Sequence, residues 1–102
     1  MKVVNIYKDP YDVYIGRPGK NHPDAEWGNP FSIGKDGTRE EVLIKFKQYL
    51  WNKMKSPSYC RKLYALRGKT LGCFCKPKAC HGDIYVAAIE YLDNHPFMLQ
   101  DK

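Results

Sequence analysis

The stretch KTLGCFCKPKACHGDIYVAAIEYLDN, residues 69–94, holds the clearest strand-to-helix junction of the chain and three of its four cysteines. Its first part, KTLGCFC (residues 69–75), is short and apolar and reads as a buried strand. KPKA (residues 76–79) reads as a loop. From His81 onward the spacing turns helical, with Ala88, Ile89 and Leu92 among the inward positions, until His95-Pro96 stops the helix. A strand that passes through a tight loop into a helix is the building unit of an open α/β sheet.

The rest of the chain fits around that unit. KVVNIY (residues 2–7) and VYIGR (residues 13–17) read as two further strands, joined by the turn chemistry of KDPYD. Residues 18–37 are rich in proline and glycine and cannot form a regular element. Thr38 and Glu41 form the T-x-x-E pattern of a capping box. Beyond it Leu43, Phe46, Leu50 and Met54 keep helical spacing, so a helix should run to about Lys55. Ser56 and Pro57 supply an N-cap and a first-turn proline for a short helix ending before Gly68. The order is β-β-loop-α-α-β-α. It predicts a single domain over residues 1–102, a small Rossmann-like open α/β sheet with flanking helices. A compact α+β arrangement is the alternative.

Composition narrows the class. The chain has 102 residues, 43% hydrophobic, with eight Tyr, four Phe and two Trp. That suffices for a small core and excludes a disordered chain. The net charge of +6 is spread along the sequence rather than gathered in a tail. Scattered lysines serve solubility, and the positive field suits an anionic partner, either nucleic acid or a phosphorylated small molecule. No secretory signal opens the sequence and no apolar run reaches the length of a membrane span, so a cytoplasmic protein without membrane contact is expected. In that compartment clustered cysteines read as metal-binding or reactive rather than as disulfides.

Three readings compete for Cys73, Cys75, Cys80 and His81. As a Cys₃His set they could hold a structural zinc, although C-x-C-x₄-C-H departs from the usual zinc spacing. As a helix start at a strand end they could form an anion or nucleotide site. Cys75 and Gly82 would then face the ligand and free N–H groups would receive a phosphate. Cys80 would be a thiolate nucleophile, His81 an acid or base, and Asp83 a base or ribose ligand. In the third reading the cysteines are small core residues and His81 and Asp83 merely cap the helix. Cys60, on the second helix, reads as core.

The loop WGNPFSIGKDGTREE (residues 27–41) is the other dense stretch. Trp27 could stack or wall a ligand, Asn29 could read a polar edge, and Gly28 allows unusual backbone angles. Arg17 and Arg39 could hold negative charge at the second helix start. Phe31 reads more readily as an anchor pinning the loop to the core. Standard catalytic signatures are missing. There is no G-x-x-x-x-G-K-[ST], no G-x-G-x-x-G and no Ser-His-Asp set, so NTPase, dinucleotide dehydrogenase and serine hydrolase readings lose support.

IGRP, WGNPF followed by IGKDGTREE, and LGCFCKPKACHGD together resemble a family common in phages and bacteria, catalogued as domain of unknown function 4326. The resemblance runs from about Tyr14 to Leu92. It implies that Asn29-Pro30-Phe31 and Cys80-His81-Gly82 belong to the family signature and that the origin is phage or prokaryotic. It implies no activity. The strand–loop–Cys-His–helix segment is also similar to that of a second uncharacterised Rossmann-like family, a likeness of fold alone.

These readings converge on a small-molecule-binding protein for a nucleotide-derived or sugar-phosphate-like ligand. The pocket would lie between the loop of residues 18–37 and that of residues 75–83. In a phage, such a protein could sequester or process a signalling nucleotide in the host cytoplasm. If it is an enzyme, the reaction would be glycosyl transfer or cleavage of an N-glycosidic bond. The alternative is a zinc-stabilised nucleic-acid-binding module. A homo-oligomer is compatible with either.

Overall fold

The computed structural model of the chain describes residues 1–76 and 78–100. Three strands form one parallel sheet: β1 (Lys2–Asn5), β2 (Val13–Tyr14) and β3 (Thr70–Cys73), in the order β1-β3-β2. Val3 pairs with Leu71 and Asn5 with Cys73 on one side of β3, and Val13 pairs with Leu71 on the other. Three helices follow the predicted order: α1 (Arg39–Lys53), α2 (Pro57–Tyr64) and α3 (His81–Asn94). A 3₁₀ turn, Pro96–Leu99, closes against α2, where Arg61 donates to the Leu99 carbonyl at 2.8 Å. Pro77, read as part of the loop before α3, lies outside the described residues.

The helix boundaries follow from local chemistry. Thr38 accepts from the Glu41 N–H and Glu41 returns a carboxylate oxygen to the Thr38 N–H at 3.0 Å, completing the capping box. Ser56 caps α2 ahead of Pro57. α3 begins at His81, as its periodicity predicts. Val42, Phe46 and Leu50 bury one stripe of α1, Cys60 and Leu63 one stripe of α2, and Tyr85, Ala88, Ile89 and Leu92 one stripe of α3. With Leu71, Cys73 and Ile15 all of these but Val42 form a single core.

Successive residues of a strand point to opposite faces. On β3, Leu71 and Cys73 turn to the helices. Gly72 turns to the other face, where a Cβ atom would lie 2.6 Å from Tyr11 Cγ and 2.8 Å from Ile6 Cγ2. The connection from β1 to β2, residues 6–12, crosses that face directly over Gly72. Parallel strands are usually joined by a crossover of a dozen or more residues that includes a helix. Here the absent Gly72 side chain lets a shorter, helix-free connection pass. It is tied at both ends of β3, by Ile6 N–H to the Cys73 carbonyl at 3.0 Å and by Asp12 N–H to the Thr70 carbonyl at 2.8 Å. The Asp12 carboxylate also accepts from the Thr70 N–H at 2.8 Å.

The architecture is therefore a compact mixed α/β fold with helices on one face of a small parallel sheet and a chain crossing on the other. The strands are shorter than the sequence suggests. Residues beyond Tyr14 leave the sheet because Gly16 and Pro18 turn the chain into the long loop. That turn is what opens a space at the C-terminal edge of the strands.

Candidate functional site

The end of β3, the exit from β2, the first turn of α1 and the start of α3 surround a cavity of about 530 Å³. Its buried lining comes from Gly16, Val42, Cys73, Cys80 and His81. Phe31, Phe74 and Tyr14 add aromatic surface and Leu43 and Ile33 aliphatic surface. Arg17, Arg39 and Asn29 supply polar groups. Two guanidinium groups and no carboxylate are found among the described lining residues.

Arg17 is held by the loop it faces. Its Nε donates to the Asn29 carbonyl at 3.1 Å and one terminal nitrogen to the Phe31 carbonyl at 2.8 Å. The Asn29 side-chain oxygen accepts from the Phe31 N–H at 2.9 Å, so Asn-Pro-Phe is a side-chain-closed turn wrapped on the guanidinium. Arg39 donates to the Ala79 carbonyl at 2.9 Å and thereby ties the start of α1 to the loop before α3. An arginine has five N–H donors, so each guanidinium keeps donors beyond these bonds. Gly28 lies where the loop passes the β2 exit. A Cβ there would lie 3.0 Å from the Arg17 Cα and from the Gly16 carbonyl, a tight contact with backbone that glycine avoids.

Trp27 does not wall the cavity. It is 7% exposed and sits in the core, edge-on to Tyr85 with ring centroids 5.5 Å apart. Its burial follows from its carbonyl, which receives the Tyr85 hydroxyl at 2.8 Å and the His81 Nε2–H at 3.0 Å. Phe31 is half-buried and packs against the core, as the anchoring role expects, with part of its surface on the cavity. It rests edge-on against Tyr49. In sequence the two aromatics are hard to tell apart, because what separates them is the pair of donors on α3 that capture the Trp27 backbone.

His81 is buried and its Nε2 also reaches the Ile15 carbonyl at 2.7 Å. Two carbonyl acceptors require a proton on Nε2, which leaves Nδ1 as an acceptor 3.7 Å from Cys80 Sγ. Burial pushes the imidazole pKa below its ordinary value, against the pull of the two carbonyls. The ring is thus a neutral strut between α3, the β2 exit and the long loop.

The α3 start is closed to anions. Cys80 Sγ accepts from the Gly82 N–H at 3.2 Å, and the Asp83 carboxylate accepts from the Cys80 N–H at 3.3 Å. Asp83 also pairs with Lys76 at 2.6 Å and does not line the cavity, so it is a cap and an ion-pair partner rather than a base. Gly82 faces the sheet. A Cβ there would meet Val3 at 2.7 Å and Ile15 at 2.8 Å, so the glycine serves helix-on-sheet packing rather than ligand approach. The capping box likewise occupies the Thr38 and Glu41 N–H groups at the α1 start. The charged groups of the cavity lining are the Arg17 and Arg39 side chains.

The cysteines do not gather as a metal site. Among the described residues no three His, Cys, Asp or Glu side chains converge as metal ligands. The strut role of His81 fixes its Nε2 on backbone carbonyls, and Cys75 stands apart from the other two sulfurs, half-exposed in the cavity lining. The zinc set Cys73, Cys75, Cys80 and His81 is accordingly replaced by a pair. Cys80 donates its S–H to Cys73 Sγ across 3.1 Å. That bond, with backbone N–H groups of Lys76 and Cys75 adding to it against burial, holds the Cys73 pKa down to about 6. The same bond, together with burial, pushes the Cys80 thiol up. The hydrogen bond between the two sulfurs lowers Cys73 and raises Cys80, so the pair shares one eased ionisation, and sequence spacing offers no signal of it.

The family of proteins defined by the domain of unknown function (DUF4326) matches residues 2–91 of this sequence, the segment that builds the sheet, the cavity and all of α3 except its last turn. The chain belongs to that family. Two relatives lie in viruses. An uncharacterised 12.4 kDa protein from the nrdA-td intergenic region of Enterobacteria phage T4 is 40% identical over 102 residues, covering 98% of this chain and 87% of its own length. An uncharacterised protein of Acanthamoeba polyphaga mimivirus is 32% identical over 98 residues, covering 84% of this chain and 72% of its own. No solved structure matches the chain. In this DUF4326 member both signature tripeptides are architectural as well as cavity-lining: Asn29-Pro30-Phe31 wraps Arg17, and Cys80-His81-Gly82 locks α3 to the sheet. No helix among the described residues is long and apolar enough to cross a membrane.

Proposed function

We propose that this protein binds a nucleotide-derived or sugar-phosphate-like small molecule in the cavity at the C-terminal edge of its sheet. The observation that carries the reading is the combination of Arg17 and Arg39 with an apolar, aromatic lining free of carboxylates. The volume, about 530 Å³, falls in the range of small-molecule sites. Phe31 and Phe74 offer faces for a base, and the guanidiniums offer forked donors to a phosphate. The charged donors for a phosphate are the two guanidiniums, whereas the cavity floor is formed by sulfur and apolar groups. The phosphate therefore sits by the arginines at the mouth and the base or sugar points inward.

The Rossmann-like part of this reading is an analogy of ligand position. Open α/β sheets take ligands beyond the carboxyl ends of their strands, and this cavity has that location. The viral relatives support a viral setting alone; sequestering or processing a signalling nucleotide in the host cytoplasm is the role such a cavity would serve there. Sequestration asks only for binding, and the neutral, immobilised His81 and the capping role of Asp83 favour it over glycosyl chemistry. A zinc-stabilised nucleic-acid module rests on the dispersed positive charge alone, because the ligand set does not converge among the described residues.

Thermal denaturation in the presence of AMP, GMP, CMP, UMP and ribose 5-phosphate, each beside its unphosphorylated counterpart, tests the proposal. At least one phosphorylated compound should raise the midpoint while its counterpart does not. No shift with any of them removes the reading.

A further inference from the structure

The cavity floor carries two thiols in contact, which ligand binding leaves unexplained. Cys73 stands at the end of β3 and Cys80 at the N-cap of α3, and their sulfurs are 3.1 Å apart. Both line the cavity, although Cys73 is only 1% and Cys80 2% exposed. We propose that Cys73 and Cys80 form a reversible disulfide site, closed by a peroxide-class oxidant admitted through the cavity and reopened by thiol reductants.

The geometry favours closure. A disulfide bond is about 2.05 Å long, so the sulfurs must approach by roughly 1 Å. Both ends are firmly placed. β3 is paired on each side, and Cys80 is held through its own N–H and through the Gly82 N–H on its sulfur. Hydrogen peroxide is little larger than water and needs no wider entry than the cavity provides.

The chemistry balances as follows. The Cys73 thiolate attacks the peroxide, the O–O bond breaks, and a sulfenic acid forms while hydroxide leaves and takes a proton to become water. The Cys80 sulfur then attacks the sulfenic sulfur, the S–S bond forms, the S–O bond breaks, and a second water leaves. Two thiols and one peroxide give one disulfide and two waters. Cys80 already points its S–H at Cys73, so the resolving group is in place before oxidation. In a reducing cytoplasm such a bond is transient, the usual behaviour of redox-responsive cysteines.

The other thiols serve as internal controls. Cys60 is buried away from the cavity, donates to the Met54 carbonyl at 3.1 Å, and has a raised pKa through burial. Cys75 meets the pair through its backbone N–H on the Cys73 sulfur, while its own thiol lines the cavity.

The test uses the whole chain treated with one equivalent of hydrogen peroxide and weighed, denatured and unreduced. The expected product is lighter by about 2 Da, two hydrogens, and dithiothreitol restores the mass. Trypsin should leave residues 70–78 joined to residues 79–102. Cys75→Ser should keep the bond and Cys73→Ser should lose it. Oxygen addition without a cross-link, no reaction of the folded protein, or a cross-link that disappears in Cys75→Ser would each overturn the assignment. The peptide map of Cys75→Ser, whose 70–78 fragment keeps Cys73 as its one thiol, decides the matter even if Cys73→Ser does not fold.

Discussion

The imidazole of His81 donates from Nε2 to the carbonyl of Ile15 at 2.7 Å, across 66 positions of sequence. One ring thereby fastens the start of α3 to the exit of β2 and, through the Trp27 carbonyl, to the long loop. Removing it takes the imidazole donor from the Ile15 carbonyl and leaves the Trp27 carbonyl to the Tyr85 hydroxyl alone. His81→Ala should cost roughly 2–4 kcal/mol in urea unfolding, the sum of lost packing and lost hydrogen bonds. An unchanged midpoint would show that the strut is not needed.

The same ring makes stability depend on pH. Its folded pKa lies below the unfolded value of 6.5 because burial disfavours the charged form. Between the two values the unfolded chain binds the extra proton, so stability rises with pH there. The contribution is complete above about pH 6.5 and fades as pH falls towards and through the folded value. Comparing urea midpoints of wild type and His81→Gln across this range isolates the effect, since the variant should lose that part of the slope.

The thiol pair should titrate as a unit. The pair should release one proton below the ordinary thiol range and no second one within it, because the shared hydrogen bond lowers Cys73 and raises Cys80. Ultraviolet thiolate absorbance measures both. Cys80→Ser keeps an N-cap oxygen for α3 but offers a different donor to Cys73, and Cys80→Ala removes the donor. The alanine variant should return Cys73 towards the ordinary thiol pKa of 9.0.

Gly72 and Gly82 are steric requirements on opposite faces of the sheet. Alanine at either position places a methyl within 3 Å of fixed side chains, Tyr11 and Ile6 for Gly72, Val3 and Ile15 for Gly82. Each substitution should destabilise by about 1–3 kcal/mol as overpacking. Gly19→Ala meets nothing within 4 Å and should be tolerated in the same unfolding assay.

Much of this fold was readable from local chemistry. The capping box at Thr38 and Glu41, the Ser56-Pro57 start and the α3 periodicity each act within a few residues, and each helix lies where they place it. The inward positions Ala88, Ile89 and Leu92 are likewise local in origin. The strand order was not readable, because it depends on Gly72 letting residues 6–12 cross the sheet. The site was half readable. Arg17, Asn29, Phe31, Arg39, Cys75 and Cys80 do come together at one cavity. Trp27, Gly82 and Asp83 turn elsewhere for reasons that arise only after folding: a carbonyl captured by α3, a close packing on Val3, and a capped N-terminus. Tyr14 and Phe74 had no motif to announce them, although their places at the ends of two apolar strands would have suggested the sheet edge.

The central claim is that the cavity by Arg17 and Arg39 receives a phosphorylated nucleotide-like ligand. The most direct measurement is amide NMR of the labelled protein titrated with the nucleoside monophosphate that most raises its melting midpoint. The account predicts saturable shifts confined to Gly16, Arg17, Phe31, Arg39, Phe74 and Cys75, with Gln48 and Trp51 on the far side of α1 unmoved, and a loss of affinity of roughly tenfold or more in Arg39→Ala. Shifts spread over the scattered lysines and abolished by modest salt, or an Arg39→Ala titration identical to wild type, would contradict it.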